Sequence, residues 1–269
     1  MADKLLKEYE IESEGVKIGV KVVFREGEFV RSYLLDIPEY GPGTKALLES
    51  LKQSIIMDST IKAERLLDPK FIGSLKQQFR DKAEIILKKE LPQIDDETKN
   101  ALTGILLHDV LGLGKIEFLL SDGNLEEIVV NNSKEPVSVY HKEFGWLRTN
   151  ILIETEEEIQ NYANIIARRG GKQITILSPL LDTHLVTGDR ANATLFPISS
   201  KGNTITIRRF RRDPWTVTDF IKNKTVNSEV MALIWMCMQY ELNIVLSGGT
   251  ASGKTSLLNV CLVFIQPNH

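Results

Sequence analysis

The sequence predicts an α+β N-terminal region followed, from about residue 228, by the start of an α/β unit. Three observations carry this. Val16, Ile18, Val20 and Val22 alternate with polar residues, the period of a half-buried strand. From Thr44 to Pro92 apolar residues recur at three- and four-residue spacing, as in Leu47, Leu48, Leu51, Ile55 and later Phe79, Ala83, Ile86, Leu87. Near the end, a short apolar run (Leu242–Leu246), a glycine-rich stretch and a second apolar run (Ser256–Ile265) follow in strand–turn–helix order.

Taken in order, Glu10 to Ile37 reads as strands, broken by a Glu26-Gly27-Glu28 turn before Phe29–Leu35. Residues 38–43, with two prolines and two glycines nearby, are a loop, and the helical stretch 44–92 follows. A helix is predicted over Asp96–Leu111. Strands then alternate at Leu125–Asn131, Val137–His141 and Trp146–Ile153. A helix over Glu156–Arg169 stops at Gly170-Gly171. Strands resume at Ile174–Leu177, Ala191–Phe196 and Thr204–Phe210, with Gly188 and Gly202 as turns. Strands mixed with few helices make this a compact α+β domain. Arg211-Arg212-Asp213-Pro214 reads as a linker, and Ser228–Tyr240 as a helix leading into the Leu242–Leu246 strand. The division expected is 1–95, a strand and helix docking module; 96–212, an α+β domain; 213–227, a linker; and 228–269, the opening of the α/β unit.

Composition excludes more than it assigns. The chain is 42% hydrophobic and 26% charged, an ordinary globular balance. With 33 basic against 36 acidic residues and net charge -3, it offers no general attraction to nucleic acid or anionic membrane, and no direct nucleic-acid binding is expected. Cys237 and Cys261 lie in segments that read as buried helix, which a reduced cytosolic compartment explains more simply than a disulfide. Met1-Ala2-Asp3-Lys4 lacks the apolar core of a signal peptide. The four histidines have no metal-ligand spacing. Glu126-Glu127 opens an apolar strand and reads as solvent-facing carboxylate.

The informative motif is Gly248-Gly249-Thr250-Ala251-Ser252-Gly253-Lys254-Thr255, which fits G-x-x-x-x-G-K-[ST] at every fixed position. Such a loop turns backbone N–H groups inward around phosphate oxygens, and the following helix adds its positive N-terminal end. Lys254 reaches the β- and γ-phosphates, and Thr255 ligates Mg²⁺. Residues 248–256, Ser256 included, are the candidate ATP-binding residues. A strand-to-helix turn that is merely rich in glycine and serine is the plainer alternative, and its context argues against it. The chemistry also needs an acidic Mg²⁺ partner and a carboxylate that orients water. The last acidic residue is Glu241, and none of the fifteen residues after Lys254 is acidic.

Several segments together resemble the secretion-ATPase superfamily of type II and type IV systems, especially the archaeal members that drive pili and the archaellum. They are Leu111–Glu117 (LGLGKIE), Glu126–Asn131 (EEIVVN), Val139–Trp146 (VYHKEFGW), Ala167–Lys172 (ARRGGK), Pro179–Asp182 (PLLD), Gly188–Ala193 (GDRANA) and Thr206–Phe210 (TIRRF), followed by the loop at 248–255. Residues 1–95 are only loosely similar to the family's variable N-terminal module. The resemblance implies a PAS-like domain over 96–212 and a RecA-like ATPase domain from 228. It further implies a homo-hexameric ring, ATP and Mg²⁺ as cofactors, and a polytopic membrane platform protein as partner. The implied location is cytoplasmic, at the inner face of the cell membrane. Arg190 and Arg208 match positions from which the family sends arginines toward the γ-phosphate, so the implied catalytic set is Lys254, Arg190 and Arg208. By residue type alone, both arginines read as ordinary surface strand residues. The run Arg208–Arg212 reads as a solvated or nucleotide-facing rim, not a nucleic-acid patch.

Because the loop stands so near the end, the chain is expected to be an ATPase portion truncated shortly after the Walker A motif, binding nucleotide weakly and not hydrolysing it. Two alternatives stay open: a non-catalytic module docking on a platform or on full-length ring subunits, and an unrelated P-loop kinase or GTPase.

Overall fold

The computed structural model describes residues 4–38, 41–58, 69–210, 214–249 and 252–265. The chain divides into two compact units, Met1–Phe210 and Arg211–His269.

The first unit is organised by one nine-stranded sheet in the order β1-β2-β3-β6-β5-β4-β9-β8-β7. Strands β1 (Lys4–Ser13) and β2 (Val16–Phe24) form a hairpin. Its two-residue turn, Glu14-Gly15, has positive φ at both positions (51° and 81°), the backbone that matches strand twist. Val16, Ile18, Val20 and Val22 are each at most 1% exposed, as the alternation predicts. Strand β3 (Arg31–Asp36) pairs antiparallel with β2 and parallel with β6 (Gly145–Thr149). Beyond that short ladder the Asn150 side chain substitutes for a backbone rung. Its Oδ1 accepts from Leu35 N and its Nδ2 donates to Leu35 O, both at 2.9 Å. Strands on either side of residue 95 therefore share one sheet.

Helices α1 (Pro42–Asp58), α2 (Pro69–Glu90) and α3 (Asp96–Leu111) pack on one another around Leu51, Phe79, Ala83, Leu87, Leu102 and Leu106. The sequence places the start of α3 correctly because Asp95 caps it, accepting from Thr98 N at 2.7 Å. Helix α4 (Ile116–Ser121) follows and leads to β4 (Leu125–Val130) and β5 (Ser138–His141). Asp122, 1% exposed, ties the early strands to this region. It accepts from the Tyr9 hydroxyl at 2.5 Å and the Tyr33 hydroxyl at 2.7 Å, and from Asn124 N at 2.8 Å. Burial and the neighbouring Asp122 push both tyrosines well above the ordinary phenol range.

Helix α5 (Glu156–Arg169) carries three glutamates in its first turn and two arginines in its last, complementing its dipole. Ile159, Ala163, Ile166 and Ala167 bury its inner face in the same core as the sheet. Full burial of such an isoleucine stabilises by roughly 1.5–3 kcal/mol. Gly170, predicted as a stop signal, has a second reason: a Cβ there would lie 1.9 Å from Thr183 Oγ1.

Strands β7 (Leu180–His184), β8 (Arg190–Thr194) and β9 (Thr204–Arg208) complete the sheet. The expected strand at Ile174–Leu177 is not one. Thr175 and Ser178 bond to each other in both directions at 3.1 Å, and Leu177 is 97% exposed. The neighbouring edge strand is β7, whose five residues alternate in burial over too short a span to stand out.

The second unit contains α6 (Val217–Lys222), α7 (Ser228–Gln239) and α8 (Lys254–Cys261), with a 3-10 turn at Leu262–Phe264. A capping box between Thr216 and Asp219 opens α6. Phe220, Met231 and Val260 form its small core. The strand expected at Leu242–Leu246 is absent: no ladder partner lies beside it among the described residues, and Val245 is 88% exposed. An apolar run has strand character only when another strand completes its backbone hydrogen bonds. Among the described residues, no helix is long and apolar enough to cross a membrane.

Candidate functional site

The glycine-rich loop connects an extended segment to α8. Its two motif-fixed glycines have separate physical reasons. Gly253, the N-cap of α8, has φ 84° and ψ 15°, the left-handed region, which glycine enters without penalty. At Gly248 a Cβ would lie 2.6 Å from Ser252 Oγ. The loop closes through Ser252 N donating to Gly249 O at 3.4 Å. The Lys254 ammonium folds back to donate to the Gly249 carbonyl. Helix α8 then starts at Lys254, with Leu257 N bonded to Gly253 O at 2.9 Å. The first backbone N–H groups of a helix have no intrahelical acceptor, so this end offers donors and a positive dipole end to an anion. Val260, 1% exposed, together with Leu257 and Phe264, fixes α8 on the Phe220–Met231 core. Thr255 is exposed and Ser256 half-buried at the start of the helix. Thr250 and Ala251, also expected to bind nucleotide, lie outside the described residues, as do Arg211 and Arg212 of the basic run.

The expected arginines lie in the first unit, and the structure brings them together. Arg190 on β8 stands directly opposite Arg208 on β9, and Arg208 stands opposite Glu127 on β4. Residues directly opposite in a ladder share a face, so one row crosses these strands with two arginines side by side. Each has a carboxylate partner. Arg190 grips Asp182 with both arms, Nε to Oδ1 at 3.0 Å and Nη2 to Oδ2 at 2.7 Å. Arg208 Nη2 lies 3.6 Å from Glu127 Oε2. The Arg190 hydrogen bond, with its charge, holds the Asp182 carboxyl below the usual carboxylate range, and reciprocally raises Arg190. Arg190 and Asp182 are each 55% exposed and Arg208 is 71% exposed, while Glu127 is 21% exposed.

Arg209, next in the chain, faces the other way. Its side chain is 6% exposed, lies 3.7 Å from Asp189, and donates through Nη1 to Asp122 O at 2.8 Å. It is a structural arginine, and the basic run is therefore not one surface. Asp182 and Glu127 are the residues sequence reasoning missed. Glu127 reads as a plain surface acid, and only the strand register reveals its partner.

Residues 248–255 thus keep the G-x-x-x-x-G-K-[ST] pattern, with Gly253 in the left-handed region and α8 opening directly from it. Residues 189–269 match the family model "Type II/IV secretion system protein". Over that segment the chain is similar to type II/IV secretion system proteins. The uncharacterized protein MJ0900 of Methanocaldococcus jannaschii is 39% identical over 177 residues, 65% of this chain and 32% of that protein. MJ0781 of the same organism is 35% identical over 188 residues, 66% of this chain and 25% of that protein. The conjugal transfer protein TrbB of Rhizobium radiobacter is 31% identical over 87 residues, 32% of this chain and 27% of that protein. The chain thus spans about a quarter to a third of the length of each of these relatives. The crystal structure of the VirB11 ATPase from the Brucella suis type IV secretion system is similar over 55% of this chain and 50% of that one. Its identity is 20% and its TM-score 0.34, too low to carry weight.

Proposed function

We propose that the chain is the nucleotide-binding portion of a motor ATPase that powers secretion, filament assembly or conjugal transfer. The observation that carries this is the loop at 248–255, whose fixed glycines meet the backbone demands of a phosphate cradle inside the family-matched segment. Bound ATP with Mg²⁺ supplies the phosphoanhydride whose cleavage drives such a motor. Gly248 and Gly253 let the loop close tightly enough for its N–H groups to turn toward phosphate. Lys254 would exchange the Gly249 carbonyl for a phosphate oxygen, and the Thr255 hydroxyl would hold the Mg²⁺. Arg190 and Arg208 contribute charge to the γ-phosphate, where an arginine can contribute about 10³–10⁵ in rate.

On this reading residues 96–212 are a PAS-like domain and residues from 228 belong to a RecA-like ATPase domain. The assembled form is a homo-hexamer at the cytoplasmic face of the membrane, acting on a polytopic platform protein. Titration with a fluorescent ATP analogue tests this reading: saturable binding lost in Lys254→Ala is expected, and equal signals from both proteins would refute it.

A docking role without hydrolysis is favoured by one observation: Leu233, Trp235 and Met236 on α7 are each more than half exposed. Co-sedimentation with an intact family member tests it, and the absence of association counts against it.

A further inference from the structure

A cavity of about 760 Å³ lies in the first unit, where α1, α3 and the start of α4 meet the ends of β3 and β6. That volume is in the range of small-molecule sites. Its floor is apolar: Leu35, Leu106, Phe118 and Ile151 are each 2–3% exposed. Its rim is charged and unbalanced. Among the described residues lining it, Asp36, Glu49, Asp109 and Glu154 face Lys52 and Lys115, and Lys52 is already 3.7 Å from Glu49 on its own helix. Asp36, Asp109 and Glu154 make no side-chain hydrogen bond or ion pair among the described residues. His108 also lines the cavity, is 5% exposed, and its Nε2 has no hydrogen-bond partner among the described residues.

Three carboxylates with no hydrogen-bonded partner lie over an apolar floor, one of them, Asp109, within the field of Lys52 and Lys115, and together they select a cation with an apolar body. A metal ion is disfavoured, because among the described residues no three His, Cys, Asp or Glu side chains converge on one point, as a divalent cation requires. An extended organic cation meets both features, with methylenes on the floor and ammonium groups at separated carboxylates. Burial holds His108 below the ordinary imidazole range, so it is neutral near pH 7 and its ring can accept from an ammonium.

We propose that this cavity is a binding site for an aliphatic polyamine, with Asp36, Asp109 and Glu154 as the ammonium partners. The site lies wholly within the first unit.

The test is calorimetric titration of the 269-residue protein with spermidine at 150 mM NaCl, where loose surface attraction is screened. Saturable one-site binding is expected, at least 10-fold weaker in Asp109→Asn/Glu154→Gln and unchanged within twofold in Glu126→Gln, an acid outside the cavity. Amide hydrogen exchange supplies a second readout, with residues 105–109 of α3 slowing on spermidine addition. No saturable binding overturns the proposal. So does equal weakening by Glu126→Gln, equal displacement by millimolar Mg²⁺, or protection that bypasses α3. Thermal unfolding of each variant confirms that a lost signal is lost affinity.

Discussion

Replacing Gly253 by alanine isolates the conformational demand of the phosphate loop. Gly253 sits at φ 84° and ψ 15°, and a Cβ built there meets nothing within 4 Å. The substitution therefore introduces no clash, only the left-handed penalty of an L-residue, about 1–2 kcal/mol. The penalty falls on the loop conformation that opens α8. At about 1.4 kcal/mol per decade, affinity for a phosphate ligand should drop roughly 5- to 30-fold. The assay is titration with a fluorescent ATP analogue, with thermal unfolding recorded in parallel. Gly248→Ala provides the contrast. Its Cβ meets Ser252 Oγ at 2.6 Å but Ser252 Cβ only at 3.5 Å, so rotation of one hydroxyl relieves it. The loss there should be smaller, and Ser252→Gly in the same chain should restore it. Affinity of Gly253→Ala within twofold of the parent, with unchanged unfolding, would refute the reasoning. A larger loss for Gly248→Ala would refute the ranking.

Further outcomes follow from the first unit. Asp122→Ala strips the Tyr9 and Tyr33 hydroxyls of their acceptor, and Tyr33 is fully buried; urea unfolding should show a loss of about 2–5 kcal/mol, and a loss below 1 would sink the idea that Asp122 ties β1 and β3 to β4. Burial lowers the proton affinity of both His108 and His141, so below about pH 6.5 the unfolded chain binds more protons than the folded one. Stability should be full above that pH and decline as pH falls, with a slope of up to about 1.4 kcal/mol per pH unit for each histidine until its folded value is passed. Urea midpoints at pH 7.5 and 5.5 check this, and equal midpoints would contradict it. Arg208→Thr removes one of two like charges directly opposite in the ladder; stability should change by no more than about 0.5 kcal/mol, while turnover of the intact motor falls. Marked destabilisation in chemical unfolding would make Arg208 a structural residue instead.

What the sequence reveals of this protein divides by range. Features set within a few residues are legible: the helix from Asp96, the helix over Glu156–Arg169 with its stop at Gly170-Gly171, the alternation of β2, and the glycines at 248 and 253. Features set by distant partners are not. Ile174–Leu177 has strand composition, yet β7 begins only at Leu180, because the ladder with β8 decides which residues pair. Leu242–Leu246 has strand composition too, but no described neighbour completes it. The arginines divide the same way. Arg208 and Arg209 are adjacent and alike in sequence. The pleat turns one to solvent and the other into a contact with Asp189 and the Asp122 carbonyl. The Asn150 rung, the Asp122 junction and the acidic cavity all join residues about a hundred positions apart or assembled from several elements, and no local pattern announces them.

The row across β8, β9 and β4 makes physical sense as a poised anion site. Two guanidinium groups side by side repel, and a sheet face evolved only for stability would place opposite charges there. Here each arginine instead lies against a carboxylate from the strand beyond it, Asp182 for Arg190 and Glu127 for Arg208. The Arg190–Asp182 pair is exposed and Arg208 reaches Glu127 from the solvent side at 3.6 Å, so solvent screens both pairs and they contribute little to folding. The same weakness leaves both guanidinium groups exchangeable. A multiply charged phosphate offers each a stronger acceptor than a single solvated carboxylate, with geometry suited to the two-pronged fork. Asp182 and Glu127 then keep the arginines extended on one face and limit their repulsion while no phosphate is bound. The proposed role of Arg190 and Arg208 accordingly rests on two linked features, their adjacency and the ease with which their partners release them.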